Sequence, residues 1–90
     1  MDKVIFRKFS NGEIIALFPE IPADNLGYYC ESYMHVGQHS AADPNIVFNT
    51  KLATKKEYTE LLAELKQIGY NPIIVKKFAR NSRQIRLNNH

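Results

Sequence analysis

The sequence predicts an α+β fold: a mostly antiparallel sheet of four to five strands with one amphipathic helix packed on a face, in the order β-β-β-(β)-α-β. Three patterns support this class: an Asn-Gly pair between apolar stretches, a period-two segment, and a capping box before an apolar stripe. Ninety residues allow one hydrophobic core and no second. We assign the domain to residues 1–79 and expect 80–90 to form a basic C-terminal tail or an extra hairpin strand.

The first pattern is Asn11-Gly12, which separates Lys3–Ser10 from Glu13–Phe18. Both flanks are rich in β-branched and aromatic residues, and Asn-Gly tolerates the positive φ angles of a two-residue type I′ turn. The pattern therefore predicts a hairpin with Phe9 opposite Ile14. This register puts Val4, Phe6, Ile15 and Leu17 on one face. It puts Ile5, Phe9, Ile14, Ala16 and Phe18 on the other.

The second pattern is the period of two over Tyr28–Val36, which predicts a third strand. Pro19-Glu20-Ile21-Pro22 is expected to end the strand before it, because proline cannot donate to a sheet ladder. Gly37–Asn45 is predicted to be a loop, with room for one helical turn, and Ile46–Phe48 a short edge strand. The predicted buried set is Tyr28, Cys30, Ser32, Met34 and Val36.

The third pattern is the Thr54–Glu57 capping box, which predicts the start of a helix. Gly69 suits the left-handed position after a helix, and Pro72 prevents continuation. The predicted apolar stripe is Tyr58, Leu61, Leu62, Leu65 and Ile68. The predicted solvent side is Lys56, Glu60, Glu64 and Gln67.

Beyond the helix, Ile73–Arg80 is predicted to be another strand. Asn81-Ser82 either turns it back into Arg83–Leu87, placing Ile85 opposite Phe78, or begins a frayed basic tail. The sequence leaves both alternatives open.

The charges are segregated along the chain. Residues 9–50 contain no lysine or arginine, and residues 65–90 contain no acid. The one cysteine cannot form an internal disulfide, which favours a reducing, cytoplasmic setting. No apolar run is long enough for a signal-peptide core or a membrane span. We therefore expect a cytoplasmic protein with no membrane partner.

Candidate catalytic and metal-ligating residues are few. Structural zinc sites usually combine two closely spaced ligand pairs, whereas only His35 and His39 have such a spacing here. Strand alternation also places Cys30 and His35 on opposite faces, which argues against a thiol–imidazole nucleophile. No phosphate-binding loop or metalloprotease motif is present. The sequence predicts a non-enzymatic protein with an inert cysteine, no cofactor and no bound metal.

Two surfaces are candidates for binding. A polar-aromatic strand face continued by a glycine-hinged loop predicts a protein partner, since exposed tyrosines are common at interfaces. Its residues are Tyr29, Glu31, Tyr33, His35, Gln38, His39 and Asp43. The alternative is nucleic-acid binding through a basic C-terminal end, which is otherwise a solvated tail. Its residues are Lys76, Lys77, Arg80, Arg83 and Arg86. Free sheet edges leave both a monomer and a homodimer open.

The segment 33–43, with the pattern YxHxGQHxxAD, resembles a signature of short uncharacterised proteins from gut bacteria and their phages. The segments 4–9, 15–19 and 53–58 resemble the same group, so the likeness covers the chain up to about Lys77. The resemblance implies a small cytoplasmic protein of phage or mobile-element type and no particular activity. It directs attention to Tyr33, His35, Gly37, Gln38, His39 and Asp43. Together with the tyrosine stripe, it predicts a small interaction module that binds a protein partner through Tyr33–Asp43 and the adjoining sheet face.

Overall fold

A computed structural model describes residues 2–35 and 37–89 and confirms the α+β class. Five strands form an antiparallel sheet, in the order β4 (Gln38–Ala42), β3 (Cys30–Met34), β2 (Ile14–Pro22), β1 (Asp2–Lys8) and β5 (Lys51–Leu52). A sixth strand, β6 (Pro72–Ile74), pairs in parallel with β1. A 3-10 helix, Pro44–Asn49, lies between β4 and β5. The two α-helices are α1 (Lys55–Gln67) and α2 (Ser82–Asn88).

The core consists of two apolar layers, one on each side of the sheet. On the helix face, Leu61 and Leu65 of α1 pack against the strands. Two ring pairs extend this layer, with Phe6 stacked on Tyr58 and Phe18 stacked on Tyr70. The strand residues of the helix face are Val4, Phe6, Ala16, Phe18 and Tyr33. The opposite layer, called the far face below, contains Ile5, Ile15, Leu17, Cys30 and Ala42.

The β1–β2 hairpin is confirmed, but its predicted register is wrong by one residue. The Phe9 N–H donates to the Glu13 carbonyl, and the Gly12 N–H donates to the Phe9 carbonyl, both at 2.9 Å. With Gly12 at φ 91°, this is a three-residue loop closed by a β-turn and ended by a left-handed glycine. A shift of one residue exchanges the faces of one strand. Phe6 therefore lies opposite Ala16, and Phe9 does not lie opposite Ile14.

The prolines do not end β2, which continues through Pro22. Its pairing with β3 is irregular between Phe18 and Pro22, and bulges of this kind accommodate residues without an N–H. The third strand is shorter than predicted, and Val36 lies outside the described residues. Tyr28, predicted to be buried, is 53% exposed, whereas Tyr33 is only 1% exposed.

The segment after β3 differs most from expectation. Residues predicted as a loop form β4, which pairs antiparallel with β3. Gln38 lies opposite Met34 at one end of this pair of strands, and Ala42 lies opposite Cys30 at the other end. Ile46–Phe48 belongs to the 3-10 helix rather than to an edge strand. Asp43 caps that helix, because its Oδ1 accepts from the Asn45 N–H at 2.9 Å.

Both predicted ends of α1 are confirmed. Thr54 Oγ1 accepts from the Glu57 N–H at 3.3 Å, and Glu57 Oε1 accepts from the Thr54 N–H at 2.9 Å. Gly69, at φ 112°, follows the last helical turn. Within the predicted stripe Ile68 is 49% exposed, and Glu64, predicted to face solvent, hydrogen-bonds the sheet. No helix within the described ranges is long and apolar enough to span a membrane.

The C-terminal segment is neither a hairpin strand nor a frayed tail. The strand predicted over Ile73–Arg80 is confined to β6, and α2 follows it. The Arg86 side chain is buried, and its guanidinium lies 5.9 Å from the Phe78 ring centroid. Ile85 therefore does not lie opposite Phe78 on a neighbouring strand, and α2 is an integral part of the fold.

Candidate partner-binding site

The seven residues predicted to bind a partner do not form one stripe. Tyr33 and His39 are directly opposite each other on the β3–β4 pair, and Glu31 lies opposite Ala41. These residues belong to the helix face, because Tyr33 packs in its core. Gln38 instead lines a groove on the far face with Met34, and His35 follows β3. Tyr29 and Asp43 lie together at the other end of the hairpin.

Tyr33 fixes the hairpin to α1. Its hydroxyl donates to Glu64 Oε1 and accepts from the Gly37 N–H at 3.0 Å. The other carboxylate oxygen, Oε2, lies 2.7 Å from His35 Nδ1. The hydrogen bond to Glu64 raises the pKa of Tyr33 above its ordinary value. Glu64 thus joins the start of the β3–β4 turn to the helix, and Tyr33 is a positioning residue rather than an exposed contact.

A pocket of about 400 Å³ lies beside this junction. His39 Nε2 lies 3.1 Å from the Tyr70 hydroxyl, and the His39 ring packs edge-on against Tyr33 at 4.7 Å between centroids. Burial raises the pKa of Tyr70. The full lining is Tyr33, Gly37, His39, Ile68, Gly69 and Tyr70. Its mixture of aromatic faces and polar tips suits a flat apolar side chain with a hydrogen-bonding end.

A groove of about 530 Å³ lies on the far face of the same hairpin. Met34 and Ile46 contribute apolar walls, while Gln38 and Ser40 supply polar groups from β4. The Ser32 hydroxyl is already engaged, since it donates to the Ser40 carbonyl at 2.9 Å. The β4 strand is therefore flanked by a pocket on each face of the sheet.

The outer edge of β4 has no neighbouring strand among the described residues. Hydrogen bonding alternates along antiparallel strands, so the Phe9–Glu13 bond determines which residues of each strand point to which neighbour. When this alternation is followed from β1 through β2 and β3 to β4, the backbone N–H and carbonyl of Ser40 point toward β3. The backbone groups of His39 and Ala41 point to the open edge. The His39 N–H folds back onto the Gly37 carbonyl at 3.1 Å, which leaves the Ala41 N–H as the outward donor.

The residues of β4 do not protect this edge. Natural edge strands commonly carry lysine, proline or an inward-pointing charge that prevents pairing. Gln38-His39-Ser40-Ala41-Ala42 contains none of these, and its first four residues are exposed. The sequence pattern did not indicate that Ser40, Ala41 and Ala42 form part of a strand. One available signal was Gly37, which has a positive φ shortly before β4 just as Gly12 does shortly before β2.

The groups considered for catalysis are not assembled. The Cys30 thiol is buried in the far face, and burial raises its pKa to about 11. His39 lies on the helix face, on the other side of the sheet. In the part of the chain that the structure describes, no three His, Cys, Asp or Glu side chains cluster as a metal site requires.

The five basic residues also have different environments. Lys76, Lys77 and Arg80 are exposed. Arg83 is exposed but donates to the Leu26 carbonyl, whereas Arg86 is buried. Arg86 is therefore not available to an extended phosphate backbone.

Comparisons of this chain with family models, curated proteins and solved structures found no match.

Proposed function

We propose that this protein is a cytoplasmic, non-enzymatic interaction module that binds a protein partner by accepting an extended segment of it as a strand beside β4. The observation that carries this proposal is the exposed outer edge of β4, which has neither a charge nor a proline. Strand addition of this kind is a common mode of peptide recognition. It places the binding site in the Tyr33–Asp43 segment, and the resemblance to phage-type proteins is compatible with a host partner.

The edge offers main-chain groups that are already held in position. The Ala41 N–H and carbonyl and the His39 carbonyl point outward, and the β3–β4 pairing keeps them extended. Each main-chain hydrogen bond contributes about 0.5–1.5 kcal/mol net, so a few such bonds give modest affinity. Side-chain contacts must supply the remainder.

Alternate side chains of an added strand would contact the two faces in turn. One set lies over the pocket formed by Tyr33, His39 and Tyr70. The other set lies over the groove formed by Met34 and Ile46. Both sites favour apolar or aromatic side chains, so the preferred partner segment has apolar residues on both of its faces.

The negative charge of Glu31 favours a basic partner segment beside β4. Glu31 lies opposite Ala41 on β3, and its carboxylate makes no hydrogen bond or ion pair with another described residue. Strands are about 4.8 Å apart, so the long side chain of a lysine or arginine on the added strand can reach past position 41 to Glu31. Residues 30–43 contain no lysine or arginine. A second copy of the same hairpin would therefore bring no lysine or arginine to this position.

The decisive variant is Ala41→Pro. It removes the outward N–H without breaking a bond to β3, because proline is tolerated on edge strands when its N–H would face solvent. Ala41→Val is the matched control, since it keeps the N–H and favours the extended backbone. Basic, apolar peptides are selected from a displayed random library with the native protein, and their affinities are measured for each variant by fluorescence polarisation.

We expect Ala41→Val to retain binding, Ala41→Pro to lose it, and Glu31→Gln to weaken it. Unchanged circular dichroism and thermal unfolding verify that the variants fold. Equal peptide affinity of the proline and valine variants would overturn strand addition. If sedimentation detects a dimer of the native protein but not of Ala41→Pro, the segment that pairs with β4 belongs to a second copy of this chain and not to a partner protein.

A second candidate function is nucleic-acid binding, favoured by the exposed cations Lys76, Lys77 and Arg80. It predicts that affinity falls steeply with salt, with a slope of about 0.9 per neutralised phosphate on duplex DNA. Replacing these three residues with glutamine should abolish a mobility shift at low salt. The peptide-binding edge would be unaffected, so the two candidates are tested independently.

A further inference from the structure

A polar pocket of about 350 Å³ lies where α2 meets the start of β3 and the 3-10 helix. Arg83 and Arg86, one turn apart on α2, line one side of it. The other lining residues are Tyr28, Tyr29, Asp43, Pro44 and Asn45. We propose that this pocket binds a phosphate group, held by the two guanidinium groups and recognised by Asp43.

Arg86 carries the argument because it is a buried cation without a counter-ion. The residue is 3% exposed, and no carboxylate of a described residue forms an ion pair with it. Nε donates to the Gly27 carbonyl at 2.9 Å and Nη1 donates to the Pro19 carbonyl at 2.8 Å. Carbonyl dipoles solvate the charge without neutralising it, and buried charges are normally paired.

The guanidinium retains unused donors. Arginine has five N–H groups, and two of the three guanidinium nitrogens of Arg86 are hydrogen-bonded. No buried side-chain nitrogen or oxygen of the described residues lacks a partner. The remaining nitrogen, Nη2, therefore keeps contact with solvent where Arg86 lines the pocket.

Arg83 supplies the second cation. Its Nε and Nη2 donate to the Leu26 carbonyl at 3.2 and 3.1 Å, and its guanidinium lies 4.3 Å from the Tyr28 ring centroid. These contacts hold the side chain in one orientation, and Nη1 makes no hydrogen bond to another described residue. Two oriented guanidinium groups suit a multi-oxygen anion, for which arginine is the preferred ligand.

Asp43 distinguishes among anions. Its Oδ1 accepts from the Asn45 N–H at 2.9 Å, so the carboxylate is held at the rim of the pocket. A carboxylate repels a fully ionised oxyanion such as sulfate. Hydrogen phosphate and singly protonated phosphate monoesters carry an O–H that can donate to it. The pocket should therefore prefer phosphate to sulfate.

The test is a titration of the isotope-labelled full chain with inorganic phosphate, followed by amide chemical shifts at constant ionic strength. Sulfate is the comparison ion, and ribose 5-phosphate and AMP distinguish a free ion from a substituted phosphate. We expect saturable shifts at residues 27–29, 43, 45 and 82–86. Shifts that are absent, that do not saturate, or that are equal with sulfate would overturn the proposal.

Three variants test whether Arg83 binds the phosphate and whether Asp43 selects it over sulfate. Arg83→Gln should weaken phosphate binding about tenfold or more, because it removes a charge-assisted hydrogen bond. Arg80→Gln is the matched control: it removes the same charge from an exposed residue that does not line the pocket, and binding should be unchanged. Asp43→Asn keeps a helix-capping oxygen and should reduce the preference for phosphate over sulfate. Equal effects of Arg83→Gln and Arg80→Gln would show nonspecific charge attraction and refute the site.

Discussion

Replacing Arg86 with methionine tests whether a charged side chain holds α2 against the sheet. Methionine has a similar length and can pack against Phe78, but it leaves the Pro19 and Gly27 carbonyls without their donor. Two hydrogen bonds to a charged donor contribute about 3–6 kcal/mol together. Removal of an unpaired buried charge offsets part of that loss. We therefore expect unfolding to become easier by about 2–4 kcal/mol, a large share of the roughly 5–15 kcal/mol that stabilises a domain.

Urea unfolding followed by circular dichroism measures this free energy directly. The melting temperature should fall by about 4–8 °C for each kcal/mol lost. Arg83→Met is the matched control from the same helix; Arg83 is exposed, so we expect a change of less than about 1 kcal/mol. Arg86→Lys keeps the charge but loses the planar set of N–H donors. Its loss of unfolding free energy should therefore lie between those of Arg86→Met and Arg83→Met. If Arg86→Met is as stable as the native protein, the interpretation of Arg86 as an anchor is refuted.

Two further predictions concern titratable groups. The hydrogen bond from Lys8 lowers the pKa of Glu57 from 4.5 to about 2, so the contribution of this carboxylate to stability is complete above pH 4.5 and is lost as the pH falls toward 2. Glu57→Gln should flatten the acid part of a curve of unfolding free energy against pH, and an unchanged slope would contradict this assignment. Burial raises the pKa of Cys30 to about 11, so iodoacetamide at pH 8 should alkylate it only as fast as the protein unfolds. Rapid alkylation of the native protein, measured by mass spectrometry, would show that the thiol is accessible.

Local signals predicted the parts of the fold that local interactions determine. The Thr54–Glu57 capping box and Gly69 define both ends of α1, and each depends on residues within one turn. Asn11-Gly12 identified the hairpin, but the pair suits both a two-residue and a three-residue loop. These loops differ by one residue in register. Because side chains alternate in a strand, that difference exchanged the predicted faces of Ile15 and Ala16.

The missed elements depend on distant residues. β4 is exposed on its outer edge and contains no β-branched or aromatic residue, so its sequence carries neither periodicity nor a strong strand preference. α2 is short and lacks a side-chain cap, and its position depends on the contacts of Arg86 with Pro19 and Gly27. The same contacts bury Arg86, which the sequence had assigned to the candidate nucleic-acid surface. The candidate partner-binding segment, predicted as a strand followed by a loop, forms the β3–β4 hairpin instead, and Tyr33 within it is buried.

The parallel pairing of β6 with β1 has a consequence for the order of folding. β1, β2, β3 and β4 form a meander in which every strand pairs with its neighbour in the chain. Asp2, in contrast, pairs with Pro72, and closing such a long loop costs more entropy than closing a hairpin. We expect the meander to form first and β6 and α2 to dock last. Substitutions in β6 should then accelerate unfolding while leaving the refolding rate nearly unchanged.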